Sequence, residues 1–346
     1  MHFKSIHKHG LGFLVSQLLM IVLIIPQKMF AQTTAGNAVY SFLSLPYSAK
    51  ATALGGMNIS SMGRDLGLAM YNPSLLDKSM QNELHLSVKP FYAGIQQYDV
   101  SGMQYLQSKQ IAIGWGIHYL NYGTITMTDI ADNEIGDMHP NDYSIQVSAA
   151  ANYIENFKIG TSLKYIHSNY GMYQSSGAAL DIGLTYLAQT HFSQVSLLVK
   201  NIGMQFSSTQ SKEELPFNII LGWSKKLENA PIQFSITADR LSVWNNMYYD
   251  STFANALGAQ LPSRFQNVFN HLTIASELYL GDQVDLDVGY SFNRRYDLNV
   301  QNQSNGLNGF SAGLGIRMER MHLQYGAALY QQNAYHHFTL IYRLKK

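Results

Sequence analysis

The chain has 346 residues, of which 13% are charged, 12% are aromatic and none is cysteine, and its formal net charge is +1. The charged fraction is about half of the roughly 25% usual in soluble domains. The aromatic content excludes a disordered chain, the lack of cysteine excludes disulfides and Cys-ligated metal sites, and the balanced charge gives no footprint for nucleic acid. Few charges, many aromatics and many uncharged polar residues are typical of an outer-membrane β-barrel.

Residues 1–31 have the features of a secretory signal peptide. A basic start precedes an apolar run over residues 11–25, which is shorter than the roughly 20 residues of a membrane-spanning helix. Ala31 supplies a small residue at the cleavage site. We therefore expect export, with a mature chain that begins near Gln32. The alternative is an uncleaved N-terminal membrane anchor.

Residues 32–80 lack the alternation of a β-strand and are predicted to form a small N-terminal plug, or hatch. Small residues dominate positions 49–56, and positions 65–71 predict a short helix. This helix should stop at Asn72, because Pro73 disfavours a helical conformation in the residue before it. A barrel of about fourteen strands encloses space that its own side chains do not fill, so we expect this segment inside the barrel. A periplasmic extension is the alternative.

Residues 81–346 alternate apolar with small, polar or charged residues, which is the pattern of a β-strand. The segments are long enough to cross a bilayer at a tilt, and short and long connections take turns, as in outer-membrane barrels. We therefore predict an all-β, antiparallel transmembrane barrel rather than a soluble sandwich. Its fourteen strands are predicted near 82–92, 96–106, 110–122, 142–154, 157–168, 177–187, 194–202, 215–226, 231–243, 271–280, 284–295, 309–319, 321–330 and 334–344.

Acidic residues on two neighbouring strands should meet inside the barrel. The short turn at residues 281–283 places Glu277 opposite Asp287 on the lumenal face, with Asp285 on the same face. Because like charges opposite each other are unfavourable, this cluster needs a counter-charge. The candidate is Arg317 on the next strand, and we expect Asp239 to join the group. The cluster is either an ion or substrate path or part of a polar lumen that holds the plug.

The predicted loop over residues 244–270 is unusually apolar for a segment in water, which is typical of a contact site. The loop either binds a partner or packs over the mouth of the barrel, and the sequence does not distinguish these two roles. The candidate partner residues are Trp244, Met247, Tyr248, Tyr249, Phe253 and Phe265.

No catalytic, cofactor or metal site is predicted. The sequence lacks the Gly-x-Ser-x-Gly and Lys-Thr-Gly motifs of serine acyl enzymes. The histidines lack metal-ligand spacing, and the adjacent His336 and His337 would point to opposite faces of a strand. A hydrolase built on barrel strands stays open, because such a triad is defined by geometry and not by sequence order.

Two N-terminal segments, residues 40–56 and 65–76, resemble the signature of the PorQ family of the type IX secretion system. Relatives tend to read Asn-Pro-Ala where this chain has Asn-Pro-Ser. PorQ is similar in plan to PorV and, more distantly, to the FadL fatty acid channels, which are fourteen-stranded barrels with an N-terminal hatch. The residues that carry the resemblance are Pro46, Gly55, Gly56, Asn72 and Pro73.

The resemblance implies a non-catalytic role in the outer membrane of a Bacteroidetes-type bacterium. A PorQ-like protein belongs to the cell-surface attachment complex, where it holds a PorZ-like surface protein and, through it, PorU-like and PorV-like proteins. The complex joins cargo to lipopolysaccharide, so outer-membrane lipid or lipopolysaccharide is an expected partner. The alternative function is a FadL-like channel for hydrophobic small molecules.

Overall fold

The computed structural model describes residues 38–188, 192–209, 212–243, 264–298, 306–330 and 333–344. The expected signal peptide and most of the apolar loop lie outside these residues. In the described part of the chain, no helix is long and apolar enough to cross a membrane.

Fourteen antiparallel strands close into a barrel, in which the first strand pairs with the last. This confirms the predicted fold class and strand count. A separate hairpin of β4 (Ile125–Thr128) and β5 (Glu134–Met138) extends from the loop after β3. The barrel strands are β1 (Glu83–Pro90), β2 (Gln96–Leu106), β3 (Ile111–Asn121), β6 (Asn141–Ile154), β7 (Phe157–Tyr170), β8 (Tyr173–Leu187), β9 (Ser193–Ser208), β10 (Asn218–Lys226), β11 (Ile232–Ala238), β12 (Leu272–Leu280), β13 (Val284–Ser291), β14 (Phe310–Arg317), β15 (Met321–Tyr330) and β16 (Asn333–Arg343).

The barrel wall exposes its apolar side chains and buries its polar ones, which is the reverse of a soluble protein. In β6, Ser144, Gln146 and Ser148 are buried, whereas Ile145 and Val147 between them are exposed. Period-two alternation produces this division, because successive side chains point to opposite faces of a strand. An apolar exterior with every strand paired is suited to hydrocarbon, which cannot satisfy an open sheet edge.

Two strands differ in length from their predicted bounds for local reasons. The strand β9 continues to Ser208 rather than stopping near residue 202, because the β8–β9 register shifts between Leu180 and Ile182 and the alternation changes phase there. The strand β13 ends at Ser291, whose side chain accepts a hydrogen bond from the Arg294 backbone N–H. This bond caps a short helix, so the strand does not extend to residue 295.

The two ends of the barrel differ in their connections. Short turns, such as residues 155–156 and 281–283, join the strands at one end, and long segments, such as 239–271 and 292–309, join them at the other. By the asymmetry of outer-membrane barrels we call these the periplasmic end and the outer end. The long segments contain two short helices, α3 (Arg264–Asn270) and α4 (Phe292–Asp297).

Residues 38–82, which we call the plug, fill the barrel interior. Two side chains define the helix starts: Ser48 accepts from the Ala51 N–H, and Asp65 accepts from the Leu68 N–H at 2.8 Å. Both are N-cap bonds to otherwise unpaired donors. The helices are α1 (Ala49–Ala53) and α2 (Leu66–Tyr71), and 3₁₀ turns cover Ser41–Ser44, Pro73–Leu75 and Lys78–Met80.

Glycines on the inner wall allow the plug to approach the strands closely. A Cβ atom on Gly326 of β15 would lie 2.2 Å from the backbone oxygen of Ala49, and one on Gly313 of β14 would lie 2.4 Å from the Ala53 Cβ. The small residues of α1 therefore pack directly on wall positions without side chains. This match fixes the depth and rotation of α1 against β14 and β15.

Candidate functional site

A buried charge cluster joins the plug to the wall. The Lys50 Nζ of α1 lies 2.7 Å from Glu277 Oε2, 3.6 Å from Asp285 Oδ2 and 3.9 Å from Asp287 Oδ1. Glu277 of β12 is the register partner of Asp287 on β13, and all four side chains are buried. One ammonium group therefore lies among three carboxylates, where removal of any charged partner is expensive. We call these four residues the lumenal charge cluster.

Neutral donors complete the surroundings of Glu277. Ser61 Oγ donates to its Oε1 at 2.7 Å, Gln233 Nε2 donates to the same oxygen at 2.5 Å, and Tyr279 Oη donates to its Oε2 at 3.0 Å. Hydrogen bonds to a buried carboxylate stabilise its charged form. Because plug and wall both contribute donors, the cluster is a rigid attachment point and its carboxylates do not face open solvent.

The structure assigns different roles to the two remaining residues of the predicted cluster. Arg317 approaches only Asp285, with Nη2 3.4 Å from Oδ1. Asp239 does not join the cluster. It follows the last residue of β11, and its backbone N–H donates to His271, which is six residues from Glu277, or about 20 Å along the strand. The predicted strand reached residue 243, whereas β11 ends at Ala238. The prediction therefore placed Asp239 too close to Glu277.

Replacing Arg317 by alanine should have a small effect on stability. The Arg317 side chain is 34% exposed, and Asp285 has two other cationic or polar partners, Lys50 and His322. Partly exposed ion pairs contribute about 0 to 1 kcal/mol, so we expect the free energy of unfolding to fall by less than about 1 kcal/mol. Urea unfolding of the barrel in lipid vesicles measures this value. A loss of several kcal/mol would show that Arg317, and not Lys50, is the principal counter-charge.

Of two further buried lysines, one attaches the plug to another part of the wall and the other pairs within the wall. Lys200 of β9 donates to the Leu43 carbonyl at 3.1 Å, and its Nζ lies 3.2 Å from the ring centroid of Tyr71. Lys164 of β7 pairs with Asp181 of β8 at 2.5 Å. These lysines and Lys50 are not among the predicted site residues. The alternation of the strands could have identified two of them as lumenal, since Lys164 and Lys200 both lie on the polar side of their strands.

The residues that carry the sequence resemblance hold the plug in shape. The Pro46 carbonyl accepts from Gln97 Nε2 of β2 at 2.7 Å. Gly55 and Gly56 have φ angles of +92° and +96°, a conformation that favours glycine, and they end α1. These three residues therefore position the first helix of the plug.

Asn72 and Pro73 do the same for the second half of the plug. Asn72 Nδ2 donates to the Ile59 carbonyl at 2.8 Å, and its Oδ1 accepts from Ser74 Oγ at 2.8 Å. The Pro73 backbone lies against Gly160, where a Cβ atom would be 2.3 Å from the Pro73 carbonyl carbon. Ser74, which follows Pro73, also fixes the plug to the wall, because its Oγ contacts Thr185 Oγ1 of β8 at 2.7 Å.

His337 has a serine partner but does not belong to a Ser-His-carboxylate triad. His337 Nε2 lies 2.6 Å from Ser87 Oγ, but its Nδ1 contacts the Thr52 hydroxyl at 2.8 Å rather than a carboxylate. His337 is buried and the adjacent His336 is exposed, so the two imidazoles point to opposite faces. In the described ranges no group of three His, Asp or Glu residues could hold a metal ion.

A small cavity lies beside the centre of the plug. Its volume of about 10 Å³ lies between plug and wall beside Tyr47, Met70 and His118, which is about the space of one water. At the outer end, Phe265 on α3 is 77% exposed. The other five candidate partner residues, Trp244, Met247, Tyr248, Tyr249 and Phe253, lie outside the described residues.

Comparisons with known proteins identify the fold. No family profile and no curated protein matches the chain. Among solved structures, the CymD monoaromatic hydrocarbon channel matches with a TM-score of 0.52 and 14% identity, covering 88% of this chain and 99% of the other. The toluene transporter TodX of Pseudomonas putida matches with a TM-score of 0.52 and 11% identity, covering 88% and 100%. A FadL homologue of Pseudomonas aeruginosa matches with a TM-score of 0.49 and 9% identity, covering 86% and 98%.

The chain therefore has the fold of FadL-type outer-membrane barrels, with its lumen occupied by the plug. At identities of 11% and 14% this likeness shows the fold alone. The two structures matched at a TM-score of 0.52 are a monoaromatic hydrocarbon channel and a toluene transporter.

Proposed function

We propose that this chain is a plugged outer-membrane scaffold that holds a surface protein, in the manner of a PorQ-like component of the type IX attachment complex. The observation that carries the proposal is that buried contacts attach the plug to the wall at two places. Lys50 of the plug pairs with Glu277 of β12, and Lys200 of β9 donates to the Leu43 carbonyl of the plug. The resemblance of residues 40–56 and 65–76 to the PorQ signature supports the specific family. The expected location is the outer membrane of a Bacteroidetes-type bacterium.

A fixed polar plug favours a scaffold because the interior does not offer an apolar path. A hydrophobic solute that crossed beside the plug would pass buried charges such as Lys164 and Asp181. Separating such a pair leaves an uncompensated buried charge, which costs several kcal/mol. The ends of the barrel then become the functional surfaces, and loops are where binding residues concentrate.

The outer end offers an apolar surface to a partner. On α3, Phe265, Val268 and Phe269 are exposed, and Leu307 is exposed in the next long connection. Grouped apolar side chains on a surface are typical of protein contact sites. In the proposed role this surface binds a PorZ-like protein, which in turn brings PorU-like and PorV-like proteins to lipopolysaccharide.

A channel for hydrophobic small molecules is the second candidate. The solved structures that match the chain include a toluene transporter and a monoaromatic hydrocarbon channel. The comparisons support this function better than they support the scaffold, because the matched structures reported above include such channels. The buried charges of the lumen and the plug inside it favour the scaffold over the channel.

Gene deletion separates the two functions. A scaffold predicts that the PorZ-like protein is released into the medium and that secreted cargo keeps its sorting signal. A channel predicts intact cargo processing with slower uptake of a hydrocarbon such as toluene. Immunoblots of medium and cells, with an uptake assay on the same strains, measure both.

The apolar surface on α3 is tested in the deletion strain, into which the gene is reintroduced with a substitution. If the scaffold is right, Phe265→Ser should reduce recovery of the PorZ-like protein in a pull-down by about tenfold, since a central aromatic contact is worth 2 kcal/mol or more. The matched control is Ile130→Ser, which removes a fully exposed apolar side chain from the β4–β5 hairpin. Equal recovery with both variants would argue against this surface.

A further inference from the structure

A basic pocket of about 150 Å³ opens at the periplasmic end of the barrel. It lies inside the turn between β14 and β15, where the plug meets the wall. Neither the proposed scaffold nor the channel uses it. Its charged lining consists of Arg64, Arg317, Arg320, Arg343, Glu83 and Glu319.

The acidic residues do not neutralise this pocket. Glu83 is buried, and its Oε1 already accepts from both Arg64 and Arg343. Arg317 is directed to Asp285, which Lys50 also contacts. Four guanidinium groups thus stand against Glu83 and Glu319 of the lining and Asp285 beside it, which leaves one guanidinium charge without a carboxylate.

Two features show that part of this charge is available to a ligand. Arg320 is exposed and forms no ion pair with any residue that the structure describes. Burial, together with repulsion from Arg343 and Arg317, lowers the pKa of Arg64 to about 10. Burial is the larger cause, and the smaller one shows that the neighbouring guanidinium groups repel Arg64.

An apolar groove begins beside the pocket on the lipid-facing side of the same strands. It has a volume of about 570 Å³ and crosses β14, β15, β16, β1 and β2. Its exposed lining includes Ile316, next to Arg317, and Leu323, two residues after the rim residue Met321. At about 3.3 Å per residue, the groove starts within about 10 Å of the arginines. Leu314, Leu340 and Leu86 continue it toward the membrane centre.

We propose that the arginine pocket and the groove together bind one anionic phospholipid of the periplasmic leaflet. The phosphate contacts Arg320 and Arg343, and an acyl chain lies along the groove. Guanidinium groups suit this ligand because their planar donors pair with phosphate oxygens in a bidentate manner. Free phosphate shares the headgroup chemistry, but only a lipid also uses the groove.

The test measures lipid binding to the purified full-length mature barrel. The double variant Arg320→Gln/Arg343→Gln removes two donors, and native mass spectrometry in detergent gives its affinity for phosphatidylglycerol. We expect binding to weaken at least about tenfold, since hydrogen bonds to charged groups contribute about 1.5–3 kcal/mol. The control is Lys225→Gln/Lys226→Gln, which removes two exposed cations from the periplasmic end of β10. Its affinity should stay within about twofold of the original.

Separate ligands distinguish the lipid from its headgroup. The original protein should prefer phosphatidylglycerol to diacylglycerol, and inorganic phosphate should not displace the lipid. Equal loss in both double variants, or full displacement by phosphate, would overturn the proposal. Heat-modifiability on a gel checks folding. If the double variant does not fold, Arg320→Gln alone is used, because this exposed side chain forms no ion pair in the described structure, and unchanged lipid affinity in it would also overturn the proposal.

Discussion

Replacing Lys50 by methionine should lower the free energy of unfolding by about 3–5 kcal/mol, the range for breaking a buried ion pair from one side. Methionine keeps the length and apolar stem of the side chain and removes only its charge. Glu277, Asp285 and Asp287 would then lie together in the lumen without the ammonium group that now contacts all three. Urea unfolding in lipid vesicles, followed by tryptophan fluorescence, measures the loss.

The matched control is Lys78→Met in the same plug. Lys78 is exposed and lies 5.7 Å from the ring centroid of Tyr105, so its loss should change stability by less than about 0.5 kcal/mol. Combining Lys50→Met with Glu277→Gln should recover part of the loss, because one unpaired charge is removed as well. If Lys50→Met behaves like Lys78→Met, the cluster does not hold the plug.

Much of the barrel could be predicted because a single local rule governs it. Period-two alternation gives the face of every strand residue, and a three-residue turn then sets the register that brings Glu277 opposite Asp287. The rule fails where a strand ends or bulges. Asp239 was assigned to the cluster because the alternation does not show that β11 stops at Ala238.

The partner of the cluster could not be predicted in the same way. No periodicity relates the plug to the wall, so nothing in the sequence links Lys50 to acids on β12 and β13. The run of small residues at 49–56 is evident in the sequence, but its packing partners are glycines far along the chain, such as Gly313 and Gly326. Close packing between distant segments is a tertiary property, and a residue pattern within one segment does not contain it.

The same limit applies to function. The fold is shared with hydrocarbon channels, and among the described residues of this chain four lysines are fully buried, Lys50, Lys89, Lys164 and Lys200. Function depends on the site and not on the fold. Two of these lysines join plug and wall: Lys50 of the plug pairs with Glu277 of the wall, and Lys200 of the wall donates to the Leu43 carbonyl of the plug. The charges that distinguish the interior therefore serve to keep the plug in place.

Adding one methyl group at Gly326 should displace the plug. A Cβ atom there would lie 2.2 Å from the Ala49 backbone oxygen and 3.0 Å from its carbonyl carbon, and backbone atoms cannot move aside as a flexible side chain can. Overpacking of this kind costs about 1–3 kcal/mol. We therefore expect Gly326→Ala to destabilise the barrel by that amount and to make residues of the plug accessible to limited proteolysis.

The control for this change is Gly306→Ala, where an added Cβ atom meets no atom of the described residues within 4 Å. The same methyl group there should leave stability within about 0.5 kcal/mol and the proteolysis pattern unchanged. Because α1 also carries Lys50, a helix pushed away from Gly326 should weaken the charge cluster. Gly326→Ala should therefore cost less in a Lys50→Met background than in the original protein, a coupling that a double-mutant cycle measures. Strict additivity would show that wall contact and charge pairing hold the plug independently.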